Sequence, residues 1–212
     1  MTNLMLNFFQ KNCRFMACTS AIALSLPVAL SAQALPKPGS SLSRLPSQEQ
    51  TSLKAGNAVV NGDNGRYIGR VLITAPVDTT WKVLTDYNRF KDFLPGVVSS
   101  RILETSGNQT VFEQVNSVKV FLFTQKSRLV VAASKQYPKQ IDFRLKEGDI
   151  KSLIGVWKLE PVSSSQVLIT QEVTFDPGDL VPRNLVFKIY KTALTDSLKA
   201  IKKETERRVA QR

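Results

Sequence analysis

Leu180-Val181-Pro182-Arg183-Asn184-Leu185-Val186-Phe187-Lys188-Ile189-Tyr190-Lys191-Thr192-Ala193-Leu194-Thr195-Asp196-Ser197-Leu198-Lys199-Ala200-Ile201 decides how the rest of the chain is read. Within it Val181, Leu185, Val186, Ile189, Tyr190, Ala193, Leu194, Leu198 and Ile201 return every three or four residues over about six turns, the period of an α-helix with one apolar face. Asp176-Pro177-Gly178-Asp179 breaks the chain just before it and offers Asp179 as an N-cap. Beyond Ile201, Lys202-Lys203-Glu204 and Glu206-Arg207-Arg208 read as a solvated end. A helix of this length cannot cover its own stripe, so a sheet is expected beneath it.

The strands for that sheet lie upstream. Arg66 to Thr74 carries Tyr67, Ile68, Val71, Leu72 and Ile73 and stops at Ala75-Pro76. Pro76 then opens a short helix over Val77 to Thr85, with Val77, Trp81 and Leu84 on one face. A second short helix over Tyr87 to Phe93, which Asp86 is placed to cap, closes at Leu94-Pro95-Gly96. After it come six short strands separated by turn residues: Val97 to Thr105, Thr110 to Val118, Phe121 to Ala133, Gln140 to Lys146, Leu153 to Glu160 and Val167 to Phe175. Gln140 to Lys146 alternates cleanly, Ile141, Phe143 and Leu145 against Asp142, Arg144 and Lys146, as in an antiparallel sheet with one covered face. The fold class is α+β: a curved seven-stranded antiparallel sheet wrapped around a long C-terminal helix, with two short helices after the first strand and an apolar cavity between sheet and helix.

The N-terminal third reads differently. Lys11 and Arg14 precede an apolar run from Phe15 to Leu30 that ends in Ser31-Ala32-Gln33-Ala34, the order of a cleavable export signal, and cleavage is expected after Ala34. A retained anchor, or a lipid on Cys18, is the alternative; Ser20, Ser25 and Pro27 dilute the run below the roughly 20 apolar residues of a spanning helix. The expected destination is outside the cytoplasm: periplasm, an internal lumen or the medium. Residues 35–63, rich in Pro, Ser, Gly, Gln and Asn, read as a disordered linker. The folded domain is expected over residues 64–208, with a tail over 209–212. Both cysteines, Cys13 and Cys18, fall in the leader, and the chain has no histidine. This removes the commonest general base and most zinc and iron sites, and neither a metal nor a cofactor is expected.

At this point a family resemblance enters. Ile73-Thr74-Ala75-Pro76-Val77-Asp78-Thr79-Thr80-Trp81-Lys82-Val83-Leu84-Thr85-Asp86-Tyr87, Phe93-Leu94-Pro95, Gly148-Asp149, Gly155-Val156-Trp157-Lys158-Leu159 and Val181-Pro182 resemble the START-like (SRPBCC) superfamily, and within it the polyketide cyclase and coenzyme Q-binding branch. The resemblance spans roughly Arg66 to Arg208 and implies the helix-grip fold. It is less specific for function, since lipid carriers, quinone-binding proteins, aromatase/cyclases and plant hormone-binding proteins share the scaffold.

Strand alternation nominates Phe112, Val130, Phe143, Trp157, Ile169 and Val173 as inward residues, and the helix adds Leu185, Ile189 and Leu194. Trp81 reads as core; Trp157 serves either packing or a cavity wall. Gln171 interrupts an apolar face and either contacts a ligand carbonyl or hydroxyl or bonds a neighbour at the rim. Glu113 and Arg128 must be paired if they point inward, while Arg144 belongs to a polar face. Without a serine-nucleophile arrangement, a phosphate-binding glycine loop or spaced metal ligands, binding or transfer of a lipid, quinone or pigment is expected ahead of a cyclase-like reaction. The third reading is a ligand-free module recruited to a membrane. The net charge is +12, which suits an anionic membrane surface as a partner. Export argues against nucleic acid, and a monomer is expected.

Overall fold

The computed structural model describes residues 40–120, 123–178 and 182–211. The expected leader over residues 1–34 lies outside them, as does Asp179. Eight strands form one curved antiparallel sheet: β1 (Val59–Asp63), β2 (Arg66–Ile73), β3 (Val97–Ser106), β4 (Gln109–Val120), β5 (Phe123–Gln136), β6 (Gln140–Gly148), β7 (Ser152–Ser163) and β8 (Gln166–Asp176), in the order β1-β2-β8-β7-β6-β5-β4-β3. The closing step pairs β2 with β8, so the first strand of the family-like region lies beside the last. The long helix α5 (Arg183–Ala210) opens behind Pro182 and runs two residues into the expected tail. Between β2 and β3 come α3 (Val77–Leu84), a 3-10 turn over Tyr87–Arg89 and α4 (Phe90–Phe93). Asp86 stands before that turn and makes no side-chain capping bond to it; its carboxylate goes instead to Arg208 on α5, at 2.8 Å.

Two expectations are corrected here. The sheet has eight strands rather than seven, and residues 40–63 are not a free linker. They form α1 (Ser40–Ser43), α2 (Ser47–Lys54) and β1, and Leu42 and Leu53 bury against Leu72 and Leu168. Arg70 bonds Glu49 at 2.8 Å, and Ser41 donates to Glu160 at 2.7 Å. The apolar residues of this segment are too sparse for a periodic pattern; they order because they meet one apolar patch on the outer face of the sheet.

Successive side chains on a strand face opposite sides, so the registers sort the two faces of the sheet. Tyr67, Gly69, Val71 and Ile73 on β2 pair with Val173, Gln171, Ile169 and Val167 on β8, and all turn toward α5. The face continues through Leu153, Gly155, Trp157 and Leu159 on β7, Ile141 and Phe143 on β6, Val131 and Ala133 on β5, and Thr110, Phe112, Gln114 and Asn116 on β4. Helix and sheet meet most closely at Gly69, where a Cβ would stand 2.7 Å from Leu198 Cδ1. Both ends of the helix are tied to the β1–β2 edge. Lys191 and Lys202 donate to the carbonyls of Gly62 and Leu72, the Thr74 N–H donates to Glu206 at 3.0 Å, and the Tyr67 hydroxyl donates to the Phe187 carbonyl at 3.2 Å.

Candidate ligand cleft

The phase of α5 decides which of its side chains reach the concave face. Phe187, Leu194, Leu198 and Ile201 are buried, and Tyr190 packs beside them. Leu185 and Ile189 lie about 180° and about 140° around the helix from Leu194 and are only half-buried. Both were expected inward, and both are corrected: the apolar positions of this segment contain two interleaved phases, and the stripe over the sheet is Phe187–Tyr190–Leu194–Leu198–Ile201. Leu194 holds the inward place expected of it.

Of the strand candidates, Phe112, Phe143, Trp157, Ile169, Gln171 and Val173 lie on the concave face. Val130 does not. It pairs with Glu113 and Glu147 on the outer face, and its neighbour Val131, paired with Phe112 and Leu145, takes the inward place. The same alternation puts Glu113 and Arg128 outside. Glu113 accepts from Arg101 at 2.9 Å and from Arg128 at 2.6 Å, and these bonds hold its carboxyl below the usual range. Arg128 also donates to Glu147. This ion cluster belongs to the outer surface and does not bridge a cavity mouth.

The interior is closed at one end and open at the other. Val71, Ile73, Val167, Ile169 and Leu198 are fully buried where the second half of α5 presses on the sheet. Toward the start of α5, Leu129, Leu153, Trp157 and Tyr190 pack against the core yet keep accessible surface. Two surface recesses, about 340 and 300 Å³, lie on the convex face around Asp142, Ile154 and Gly155. Neither recess lies between sheet and helix, where the cavity was expected; on the concave face the half-buried Leu129, Leu153, Trp157 and Tyr190 mark the cleft toward the start of α5.

Aromatic rings dominate this cleft. Tyr190 stacks on Phe175 with centroids 4.3 Å apart and lies 5.6 Å from Tyr67. Across the face Tyr87 stacks on Phe112, also at 4.3 Å, with Phe90 edge-on to both. Gln171 sits between Gly69 and Trp157 in the register. It is 8% exposed, and its side chain makes no hydrogen bond with a described residue. The sealed side-chain atoms without a partner among the described residues are Thr79 Oγ1 and the Tyr87 hydroxyl oxygen. The Gln171 amide is not one of them, so it retains accessible surface; the same holds for the Tyr190 hydroxyl. Burial pushes both the Tyr87 and the Tyr190 phenols up from their ordinary range, and both stay protonated donors at neutral pH.

The Tyr87 hydroxyl supplies a direct check on the packing. A buried hydroxyl without a partner forfeits about 1 to 3 kcal/mol, so Tyr87→Phe is expected to leave stability unchanged or to raise it by about 1 kcal/mol. A loss above about 1 kcal/mol in a urea titration would show that the hydroxyl is bonded in solution.

Residues 73–202 match the model of a family described as polyketide cyclase / dehydrase and lipid transport. The chain belongs to that family. The matched span begins at the last residue of β2 and ends within α5, so the helical strap α1–α2 and strand β1 are outside it. Among curated relatives of the family, the chain is 30% identical over 107 residues to the ribosome association toxin RatA of Escherichia coli (strain K12), covering 50% of this chain and 64% of RatA, just under two thirds of that relative's length. Solved structures of the fold include the Zhui aromatase/cyclase from Streptomyces sp. R1128, with a TM-score of 0.58, 21% identity and coverage of 68% and 94% of the two chains. A STAR-related lipid transfer protein from Xanthomonas axonopodis superposes with a TM-score of 0.55, 20% identity and coverage of 71% and 99%. These likenesses show the helix-grip fold that the sequence resemblance implied. Among the described residues no group of three or more His, Cys, Asp or Glu side chains is placed to hold a metal, and no helix is long and apolar enough to cross a membrane.

The cleft residues absent from the sequence-based set include Tyr190, Tyr87 and Phe175, with Tyr67, Leu129 and Leu153 beside them. Tyr190 carries a signal that points to it: a phenol within an otherwise aliphatic helical stripe.

Proposed function

We propose that this domain binds and carries a hydrophobic small molecule in the cleft between the concave face and the first half of α5. The observation that carries the reading is the unpartnered Gln171 amide, set among Trp157, Val173 and Leu194. Ligand sites in proteins are mostly apolar with a few orienting polar groups, and an accessible amide that no protein group engages is available to a guest's carbonyl or hydroxyl. The family description, with its lipid transport, supports the same reading. Native mass spectrometry of the full chain expressed in an exporting host is expected to show an added mass that organic extraction removes. It is also expected to show a protein starting at Leu35, in keeping with the export we propose from residues 1–34. Protein that purifies empty and takes up no neutral fluorescent lipid would refute the carrier reading.

A cyclase-like reaction is the weaker reading. On the concave strand positions the charged residue is Lys135, and its ammonium is held by the Thr110 hydroxyl at 2.9 Å. Proton transfer needs a group that titrates near working pH within reach of the substrate, and the two tyrosines are shifted the wrong way for a base.

The surface that receives the cargo is, in this proposal, an anionic membrane. The outward side of α5 exposes Lys188, Lys199 and Lys203. Sedimentation with vesicles containing about a third phosphatidylglycerol is expected to exceed that with neutral vesicles at low salt, and the excess is expected to fall at high salt as the charges are screened. Equal binding to both vesicle types contradicts this part.

A further inference from the structure

The neutral polar groups of the cleft constrain the guest further, on the basis of the binding proposed above. We infer that the guest is uncharged where it is buried, and that it is fixed through a carbonyl or hydroxyl by the Gln171 amide and the Tyr190 hydroxyl.

Three observations carry this. First, among the described concave strand positions from β4 to β8 the cation is Lys135, and it stands three strands away from Gln171. Lys135 lies in the same row of the sheet as Ile141, Trp157 and Gln171 and donates to the Thr110 hydroxyl, and the Arg101–Glu113–Arg128–Glu147 cluster faces the other side of the sheet. A carboxylate or phosphate buried beside Gln171 and Tyr190 would lose its hydration with no cation in contact, which disfavours it against a neutral head. Second, two neutral groups that both donate and accept lie along the wedge between β8 and α5. Gln171 lies opposite Gly69, the point where Leu194 and Leu198 come down on the sheet; Tyr190 lies over Phe175 on the same strand. Neither side chain makes a hydrogen bond with a described residue. Third, the surrounding wall is aromatic, with Trp157, Phe175 and Tyr67 beside these groups. Flat, conjugated guests gain ring contacts on such a wall beyond the area they bury.

The test uses the full chain after delipidation and two naphthalene probes of similar size: the neutral ketone 6-propionyl-2-(dimethylamino)naphthalene and the anion 1-anilinonaphthalene-8-sulfonate. Displacement of the bound ketone is then measured with oleyl alcohol and with oleate, which share a chain and differ in the charge of the head. The ketone is expected to bind at least 10-fold more tightly than the sulfonate, and the alcohol to displace it at least 10-fold more effectively than oleate.

Gln171→Leu and Tyr190→Phe, each close in volume, are expected to weaken ketone binding about 5-fold. They are also expected to shift its emission to the blue, because the excited ketone loses a hydrogen-bond donor. A Gln171→Lys variant is expected to reverse the order of alcohol and oleate. Oleate that matches the alcohol, or ketone emission unmoved in both conservative variants, overturns the inference while leaving a carrier function intact. Failure of every probe to bind would instead remove the carrier reading itself.

Discussion

Leu198→Ala is expected to cost the fold about 3 kcal/mol, within the range found when a fully buried leucine is truncated. The side chain has no exposed surface, and its Cδ1 occupies the notch left by Gly69. The notch cannot close after truncation because Gly69 has no side chain to fill it and because hydrogen bonds from Lys191, Lys202 and Tyr67 hold α5 at its distance from β2. The cavity therefore persists and its penalty adds to the lost transfer energy. Leu185→Ala, the same change on the far side of the same helix, is expected to cost below about 1 kcal/mol. Urea titrations of both variants check the contrast through the midpoint at constant slope; equal losses would show that the helix is rotated from the phase described here.

Glu204→Gln follows as the second large effect, about 2 to 3 kcal/mol at neutral pH. Glu204 is buried on α5 and accepts from Arg207 at 2.8 and 2.7 Å and from Arg208 at 2.7 Å, while Arg208 reaches across to Asp86 before the 3-10 turn. The guanidinium bonds, Arg207 first, outweigh the burial that opposes them and bring the Glu204 carboxyl down to about 2. Arg208 also lies over the Phe93 ring at 6.0 Å, so the network clamps the short helices over the cleft onto α5. Removing the carboxylate leaves Arg208 half-buried with Asp86 as its remaining partner, and breaking a buried ion pair costs more than the pair contributes when intact.

The pH dependence has a definite sign. A carboxyl whose folded pKa is depressed binds its proton more weakly in the native state than in the unfolded one. Its stabilisation is complete above the ordinary value of 4.5 and is lost as pH falls toward 2. The gap between wild type and Glu204→Gln is therefore expected to be full at pH 7 and to narrow progressively between about pH 5 and pH 2. Glu172→Gln, which breaks a largely solvated pair with Lys158, is expected to stay within about 0.5 kcal/mol of wild type. A Glu204 gap that is constant across that pH range would show that the carboxylate contributes through packing alone.

Much of the architecture was legible in local pattern. Ile141, Phe143 and Leu145 alternate with Asp142, Arg144 and Lys146, and β6 forms there; Ser106-Gly107-Asn108 and Ser163-Ser164-Ser165 punctuate the chain where hairpins turn. Pro76 opens α3 as its fixed backbone angle predicts. These signals are local because the strand period and turn geometry depend on a few neighbouring residues. Strap residues 40–54 were illegible for the opposite reason. Leu42 and Leu53 form no periodic face of their own, and their partners Leu72 and Leu168 lie on two strands joined only by the closing of the sheet.

The cleft was half legible. Alternation suffices to place Phe143, Trp157, Gln171 and Val173 on one face, but in the wholly apolar run Leu129-Val130-Val131 polarity does not say which residues face inward, and the pairing of Val131 with Phe112 decides it. The stripe of α5 has the same ambiguity, because Leu185 and Ile189 recur at helical spacing as faithfully as Leu194 and Leu198 do.

What the sequence determined by itself is the succession of elements, the antiparallel sheet and the long helix that must cover it, since period, turn chemistry and apolar content are properties of short stretches. Tertiary structure alone decided which phase of that helix meets the sheet, which of two adjacent valines points inward, and that Gln171 stands without a partner. Each of these depends on how close two distant backbones approach, and that distance is set at Gly69, where the absence of a side chain lets Leu194 and Leu198 come down on the strand.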